Sequence, residues 1–308
     1  MKLFQRLYQH EDDYWRIREF LRRVFILNNR RELCWQAYRF DYWRWHGSEN
    51  MGHGRLERDV FLWEEKNGQI GAVLTREGPG NVALQIRPDL RSPGLVEEMI
   101  MTAEGHLSIA GPENQRKLHI WTPGTDNLQK GILRQRGYTK GDMQEFQRRR
   151  PLSEPIPDPP VAKGYAIRSL GDSGELPARS LVSWRAFHPE EPEELFAGWD
   201  WYYNIQRAPL YRRDLDIVAV APDGALASFC TIWFDDVTRT GAFEPVGTAP
   251  EHQKRGLGKA VMCEGLRRLE RFGATMAYVG SYTPAAHALY ASIGFNDYDL
   301  SEPWMRVF

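Results

Sequence analysis

The sequence predicts a mixed α/β chain built as two consecutive domains of similar plan. Three observations carry that expectation. The chain has 308 residues, 42% of them hydrophobic and 26% charged, a size and composition that suit two packed domains in water. A stretch rich in proline, PLSEPIPDPPVAKG, falls near the middle and reads as an extended linker over residues 151–163. On either side of it, the same order of helical and strand-like patterns recurs.

In the first domain, residues 1–150, apolar residues recur at helical spacing over about 11–27 and 33–46. VFLWEE, QIGAVLTRE and NVALQIR read as three strands, with Asn67 and Gly68 as a hairpin turn. A helix is expected from about 94 to 107, LHIWT is a strand, and a further helix ends at Gly137. The triplet Arg148, Arg149 and Arg150 reads as the solvated start of the linker.

The second domain, residues 164–308, opens with a strand, YAIRSL, and two helical patterns over about 175–187 and 192–206. LDIVAVA and ALASFCTIWF form a hairpin around the turn PDG, and GAFEPVGTA is the next strand. Leu257, Val261, Met262, Leu266, Leu269 and Phe272 mark one face of a helix that Gly273 stops. ATMAYVG is a strand, PAAHALYASIG is a helix closed by Gly294, and FNDYDL and PWMRVF are two final strands. LQIRPDLRSPGLVEEMI in the first domain lies over PVGTAPEHQKRGLGKAV in the second, with Pro88 on Pro250 and Gly94 on Gly256. A repeat of that length implies a duplicated domain rather than a solenoid.

Composition narrows the function. The formal net charge is −1, and neither half carries a basic excess large enough for a nucleic-acid surface. No stretch approaches the roughly 18 apolar residues of a membrane span, and MKLFQRLYQHEDD lacks an apolar signal core. Cys34, Cys230 and Cys263 are too far apart for a metal site or a disulfide framework. These features predict a cytoplasmic protein without metal.

The most informative segment is VGTAPEHQKRGLGKAV. A strand, a glycine-containing turn and a helix start together make an anion site, because the first helical N–H groups have no intrahelical partners and the helix dipole adds positive charge. Gly256 and Gly258 let the backbone bend and let a phosphate approach, while Gln253, Lys254, Arg255 and Lys259 add side-chain donors. The spacing Gln-x-x-Gly-x-Gly differs from both GxGxxG and the P-loop, which disfavours a nucleotide fold of either kind. On local sequence alone, the two glycines are equally compatible with ordinary loop geometry.

The second half resembles the GNAT superfamily of acyl-CoA N-acyltransferases. Two motifs carry the resemblance: Gln253-Lys254-Arg255-Gly256-Leu257-Gly258, and Ala286-His287-Ala288-Leu289-Tyr290-Ala291-Ser292-Ile293-Gly294-Phe295. Thr283 stands where the family often has asparagine. The resemblance implies two tandem GNAT-like domains, each a mixed, mostly antiparallel sheet flanked by helices. It implies that the turn amides, with Leu257 and its neighbours, bind the diphosphate of acetyl-CoA as acyl donor. It further implies that Val246, Gly247 and Thr248 pair with the pantetheine amides as an added strand, and that Tyr290 protonates the departing thiolate. The function so implied is transfer from acetyl-CoA to a small-molecule amine.

A general base must also deprotonate the amine. Glu244, just before the pantetheine segment, is the best-placed carboxylate, though it equally suits the solvent face of a strand. Asp235 and Asp236 read as turn residues, and His188 as a loop histidine. The aromatic stretch with Trp199, Trp201, Tyr202, Tyr203 and Tyr211 reads first as packing. In the first half, Pro93 removes an N–H from the corresponding turn, Val96 stands at the position of Gly258, and Leu133 at that of Tyr290. Residues 1–150 are therefore expected to be a degenerate GNAT-like domain that braces the catalytic one. The alternative functions are a non-catalytic acyl-CoA sensor and an interaction scaffold.

Overall fold

The computed structural model describes residues 2–111, 113 and 115–308. The chain divides into two compact units, Met1–Gln147 together with Asp299–Phe308, and Arg148–Tyr298. In chain order the elements are β1 (Phe4–Leu7), α1 (Glu11–Leu27), α2 (Ala37–Tyr42), α3 (Leu56–Asp59), β2 (Phe61–Glu64), β3 (Ile70–Gly78), β4 (Asn81–Ile86), α4 (Pro93–His106), β5 (Ile109–Ala110), β6 (Arg116–Pro123), α5 (Asn127–Gln135) and β7 (Thr139–Lys140). They continue as β8 (Glu145–Pro151), β9 (Ala166–Ser169), α6 (Leu176–Phe187), α7 (Trp201–Gln206), β10 (Asp216–Val220), β11 (Leu226–Asp235), β12 (Thr240–Thr248), α8 (Leu257–Arg271), β13 (Met276–Ser281), α9 (Pro284–Ala291) and β14 (Asp297–Val307).

The two units share one plan. In the first, the strand order is β1-β2-β3-β4-β6-β14. All of these neighbours run antiparallel except β4 and β6. In the second, the order is β9-β10-β11-β12-β13-β8; β9, β10, β11 and β12 run antiparallel in turn, and β12 pairs in parallel with β13. Each parallel pair stops early. β12 leaves β13 after Phe243↔Val279, and β4 leaves β6 after Ala83↔Trp121. The rest of β12, from Glu244 to Thr248, pairs only with β11.

Apolar faces explain the layers. Val261, Leu266 and Leu269 of α8 pack on Ile217, Ile232 and Phe243 of the sheet, as their helical spacing requires. In the first unit, Val96, Ile100 and Ala103 of α4 meet Leu74, Leu84 and Ile120.

Several expectations change. FNDYDL and PWMRVF form one strand, β14, whose residues from Asp299 on belong to the first unit, so the second unit does not run to the C-terminus. Main-chain pairing of Ser301–Val307 with β6 is the cause. The arginine triplet is not a solvated linker start: it lies in β8, and all three side chains are buried. Backbone carbonyls receive two of them, and Arg149 pairs with the carboxylate of Asp297 at 2.8 Å. Arg150 donates to the carbonyl oxygens of Ile293 at 2.6 Å and Glu154 at 2.8 Å, and Arg148 to that of Phe295 at 3.0 Å. The proline-rich segment packs as well, with Leu152 buried in the core and Ile156 and Ala162 against it. The second helix of that half shortens to Trp201–Gln206, because Pro192 and Gly198, the latter at φ 99°, interrupt the pattern before it. The strand β1 had no alternating signal and was not expected.

Among the described residues, no helix is long and apolar enough to cross a membrane, and no group of His, Cys, Asp and Glu could hold a metal ion. The three cysteines are free and buried.

Candidate active site

The site is built where β12 parts from β13. Beyond Phe243 the edge of β12 that faces β13 has no strand partner. Ala249 N–H donates to Ala227 O on β11 at 3.0 Å. Antiparallel alternation then turns the N–H and C=O of Val246 away from β11. The carbonyl of Gly247 accepts from Ser228 Oγ at 2.8 Å, and that of Thr248 from Gln253 Nε2 at 3.3 Å. Gly247 is a packing glycine, since a Cβ there would lie 2.5 Å from Phe229 Cζ.

After β12 the chain turns through Pro250–His252 and enters α8. Two residues of this turn are left-handed, Lys254 at φ 59° and Gly256 at φ 75°. Gly256 is the N-cap of α8 and contributes no capping side chain. Among the described residues, the N–H groups of Lys254 to Lys259 have no hydrogen-bond partner, and the first bond of the helix is Ala260 N–H to Gly256 O, 3.0 Å. Six donors are therefore gathered at the positive end of a 15-residue helix, the arrangement that favours an anion. Gly258 has room: a Cβ there would lie 3.4 Å from Leu289 Cδ2 and 3.5 Å from Thr248 Oγ1. These are ordinary contacts, so the fold itself does not demand glycine there.

A cleft of about 570 Å³ runs along these groups. One wall is Val246, Gly247 and Thr248. The floor is the turn, with Gln253, Lys254, Gly256, Leu257, Gly258 and Lys259, and α9 supplies Leu289 and Tyr290. The structure thus brings together all but two of the residues singled out from sequence. Arg255 and Glu244 do not line the cleft.

The side-chain donors are mostly engaged elsewhere. Gln253 holds Thr248 O, as above. Arg255 reaches Glu251 O at 3.5 Å and lies 6.0 Å from the ring centre of Tyr165. Lys259 donates to Ser292 O at 3.1 Å, at the end of α9. Lys254 is exposed. Thr283 caps α9, its Oγ1 accepting from Ala286 N–H at 3.3 Å.

Tyr290 is buried, 7% exposed, with its ring edge-on to Phe295. Burial, joined by the negative charge of Glu244 and by Cys230, holds its phenol well above the ordinary tyrosine range. It is therefore protonated throughout the physiological pH range and is a hydrogen-bond donor. Glu244 is half-buried, and its backbone carbonyl accepts from Trp233 Nε1 at 2.5 Å. Asp235, expected in a turn, is the buried last residue of β11, paired with Thr240, and its carboxylate accepts from Val237 N–H at 3.0 Å in the turn that follows. His188 stacks on Trp184.

The aromatic stretch divides. Tyr202 and Tyr211 both donate to Asp216, the latter at 3.0 Å. Asp216 also receives Arg179 Nε at 3.0 Å, and both partners of that ion pair are fully buried. Tyr202 is core and Tyr211 is half-buried beside it, as the packing expectation had it, while Tyr203 is 45% exposed. Sequence reasoning missed His252, which also lines the cleft. Its only signal was adjacency to Gln253.

With the geometry in place, comparison with known proteins is direct. Residues 179–295 match the acetyltransferase (GNAT) family. The chain is 29% identical over 226 residues to a mycothiol acetyltransferase of Salinispora arenicola, covering 70% of this chain and 69% of that one. It is similar in structure to a GCN5-related N-acetyltransferase from Sphaerobacter thermophilus, with TM-score 0.67 and 17% identity over 99% of this chain and 95% of that one. A tandem GNAT protein from the clavulanic acid biosynthesis pathway gives TM-score 0.67 and 13% identity, covering 99% and 98%. These two structures speak to the fold.

Proposed function

We propose, from the premise that residues 179–295 are an acetyltransferase domain of the GNAT family, that this N-acetyltransferase moves an acetyl group directly from acetyl-CoA to an amine. The observation that carries the reading is the set of unpartnered N–H groups at the open start of α8, facing the same cleft as Tyr290. The turn from Lys254 to Lys259 receives the diphosphate. The outward edge of β12 at Val246 pairs with the amides of the pantetheine arm, as an added strand would.

The chain's own groups then handle two protons. Glu244 takes one from the amine, so that a neutral nitrogen attacks the thioester carbonyl. Tyr290 donates its hydroxyl hydrogen to the sulfur as the C–S bond breaks. A free thiol has a pKa near 8.5 and a phenol near 10, and Tyr290 lies higher still. Its principal contribution is therefore a hydrogen bond to the developing thiolate, and the proton that leaves on sulfur is replaced on Tyr290 by the second one the nitrogen sheds as the amide forms. Relatives named mycothiol acetyltransferases make a mycothiol-related amine the first acceptor to try.

The test separates chemistry from binding. Tyr290→Phe removes the donor and keeps the ring that packs on Phe295. It should lower kcat roughly 100-fold, the usual worth of a positioned acid, while calorimetry finds the CoA affinity nearly unchanged. An unaltered kcat would remove Tyr290 from the mechanism. Failure of the wild-type protein to bind CoA would remove the reading as a whole.

A further inference from the structure

We propose that His252, oriented by Tyr165, supplies a side-chain hydrogen bond to a phosphate group at the nucleotide end of the acyl donor. This rests on the acyl-CoA reading above and adds to it a residue that no sequence motif assigns.

The turn is short of side-chain donors. A CoA thioester brings a diphosphate and a ribose phosphate, several negative charges in all. Of the four polar side chains that sequence nominates to meet them, three are tied to backbone carbonyls, at Thr248, Glu251 and Ser292. One more group of the right chemistry lies on the same cleft. His252 precedes Gln253 and lines the cleft, and its side chain is only 15% exposed.

Its ring is held from behind. Tyr165 OH is 2.9 Å from Nδ1, and the two rings meet edge to face with centres 5.8 Å apart. When the phenol donates to Nδ1, the imidazole hydrogen is fixed on Nε2. Nε2 lies 3.9 Å from Glu251 Oε1, too far for a hydrogen bond. Glu251 is itself drawn to Arg185, 2.9 Å away. The Nε2–H group is thus oriented and still available. Tyr165 belongs to the segment before β9, far from the turn in sequence, so the pair also ties the N-terminal edge of the unit to the cofactor-binding turn.

The test uses the full chain and calorimetric affinities for CoA and for dephospho-CoA, which lacks only the ribose phosphate. His252→Phe keeps the edge-to-face ring contact and removes both nitrogens. It should weaken CoA binding about tenfold, the scale of one hydrogen bond to a charged group. His252→Gln retains an N–H donor and should recover part of that loss. Tyr165→Phe should weaken binding less, and should add nothing in the His252→Phe background, because its effect runs through His252.

A penalty seen with both ligands places the contact on the diphosphate. A penalty seen with CoA alone places it on the ribose phosphate. Either supports the proposal. If His252→Phe binds both ligands as the wild type does, or if His252→Gln loses as much as His252→Phe, the proposal is overturned. The second result would mean that ring shape, not the donor, matters. Wild-type binding of CoA in the same experiment keeps these outcomes distinct from failure of the broader reading.

Discussion

Two helix starts in this chain occupy corresponding places in the two units, and they are built in opposite ways. α8 begins at Gly256, a left-handed residue without a capping side chain, after a second left-handed residue at Lys254. α4 begins two repeat positions earlier, with Pro93 as its first residue. Ser92 stands where Lys254 stands in the repeat, and its Oγ accepts from Leu95 N–H at 3.5 Å. Arg91, at the position of Gln253, is bound by Asp126 and, at 2.9 Å, by Gln129. The stretch that forms an open loop in one unit is wound into helix and closed by its own side chains in the other. Retaining the fold and retaining the anion cradle are therefore separate requirements. The apolar face meets the first, and a few turn residues decide the second.

The largest effect should come from closing the open turn. Gly258→Val installs the residue found at Val96 in the other unit. The space beside Gly258 accepts a Cβ without a clash, so the folded protein should persist, with melting temperature close to wild type. A branched side chain would stand over the N–H groups instead of the ligand. Losing two charge-assisted hydrogen bonds corresponds to roughly a 100-fold rise in the Kd for CoA. Unchanged affinity would show that the ligand does not approach α8 at this point.

How far sequence led follows from the same comparison. The turn was legible because its chemistry is local: glycine spacing and a helix start lie within a few residues. The two-unit plan was legible because hydrophobic periodicity is also local. What escaped depends on distant partners. Nothing near Arg150 announces that the carbonyl of Ile293 will receive it, so a charged triplet read as solvated. Lys259 is spoken for by the carbonyl of Ser292, 33 residues away, which only the folded chain brings near. Tyr165 and His252 are 87 residues apart, and neither residue predicts the other. The last strand was read correctly as extended, but strand pattern carries no information about which sheet it completes.

A smaller effect is expected from opening the closed turn. Ser92→Ala removes the cap of α4 and should cost about 1 kcal/mol of stability, measured by urea unfolding. It should give the first unit no affinity for CoA, because Pro93 still lacks an N–H and Arg91 remains paired with Asp126. CoA binding gained by this variant would mean that the cap alone separates the two turns. Measurements on isolated halves cut within residues 151–163 are a poor substitute. Such a cut parts the first unit from its own last strand, Asp299–Phe308.

The smallest predicted effect concerns pH and again separates the units. His46 lies in a π-helical turn after α2, beside the ring of Tyr42 and 3.1 Å from Asn50 Nδ2. Burial, with His53 nearby, lowers its pKa from 6.5 to about 4. The unfolded chain therefore takes up a proton below pH 6.5 that the folded unit refuses until about pH 4. The stabilising contribution is complete above pH 6.5 and is lost as pH falls towards 4. Linkage gives a loss of about 0.8 kcal/mol at pH 6. His46→Gln should flatten this part of the stability profile in urea unfolding between about pH 4 and about pH 7, the window that linkage defines. CoA affinity at pH 7.5, a property of the other unit, should be the same in the variant and the wild type. A variant whose stability still falls as steeply below pH 6.5 would trace the acid sensitivity to other groups, and a variant with altered affinity would show that the two units do not keep their functions apart.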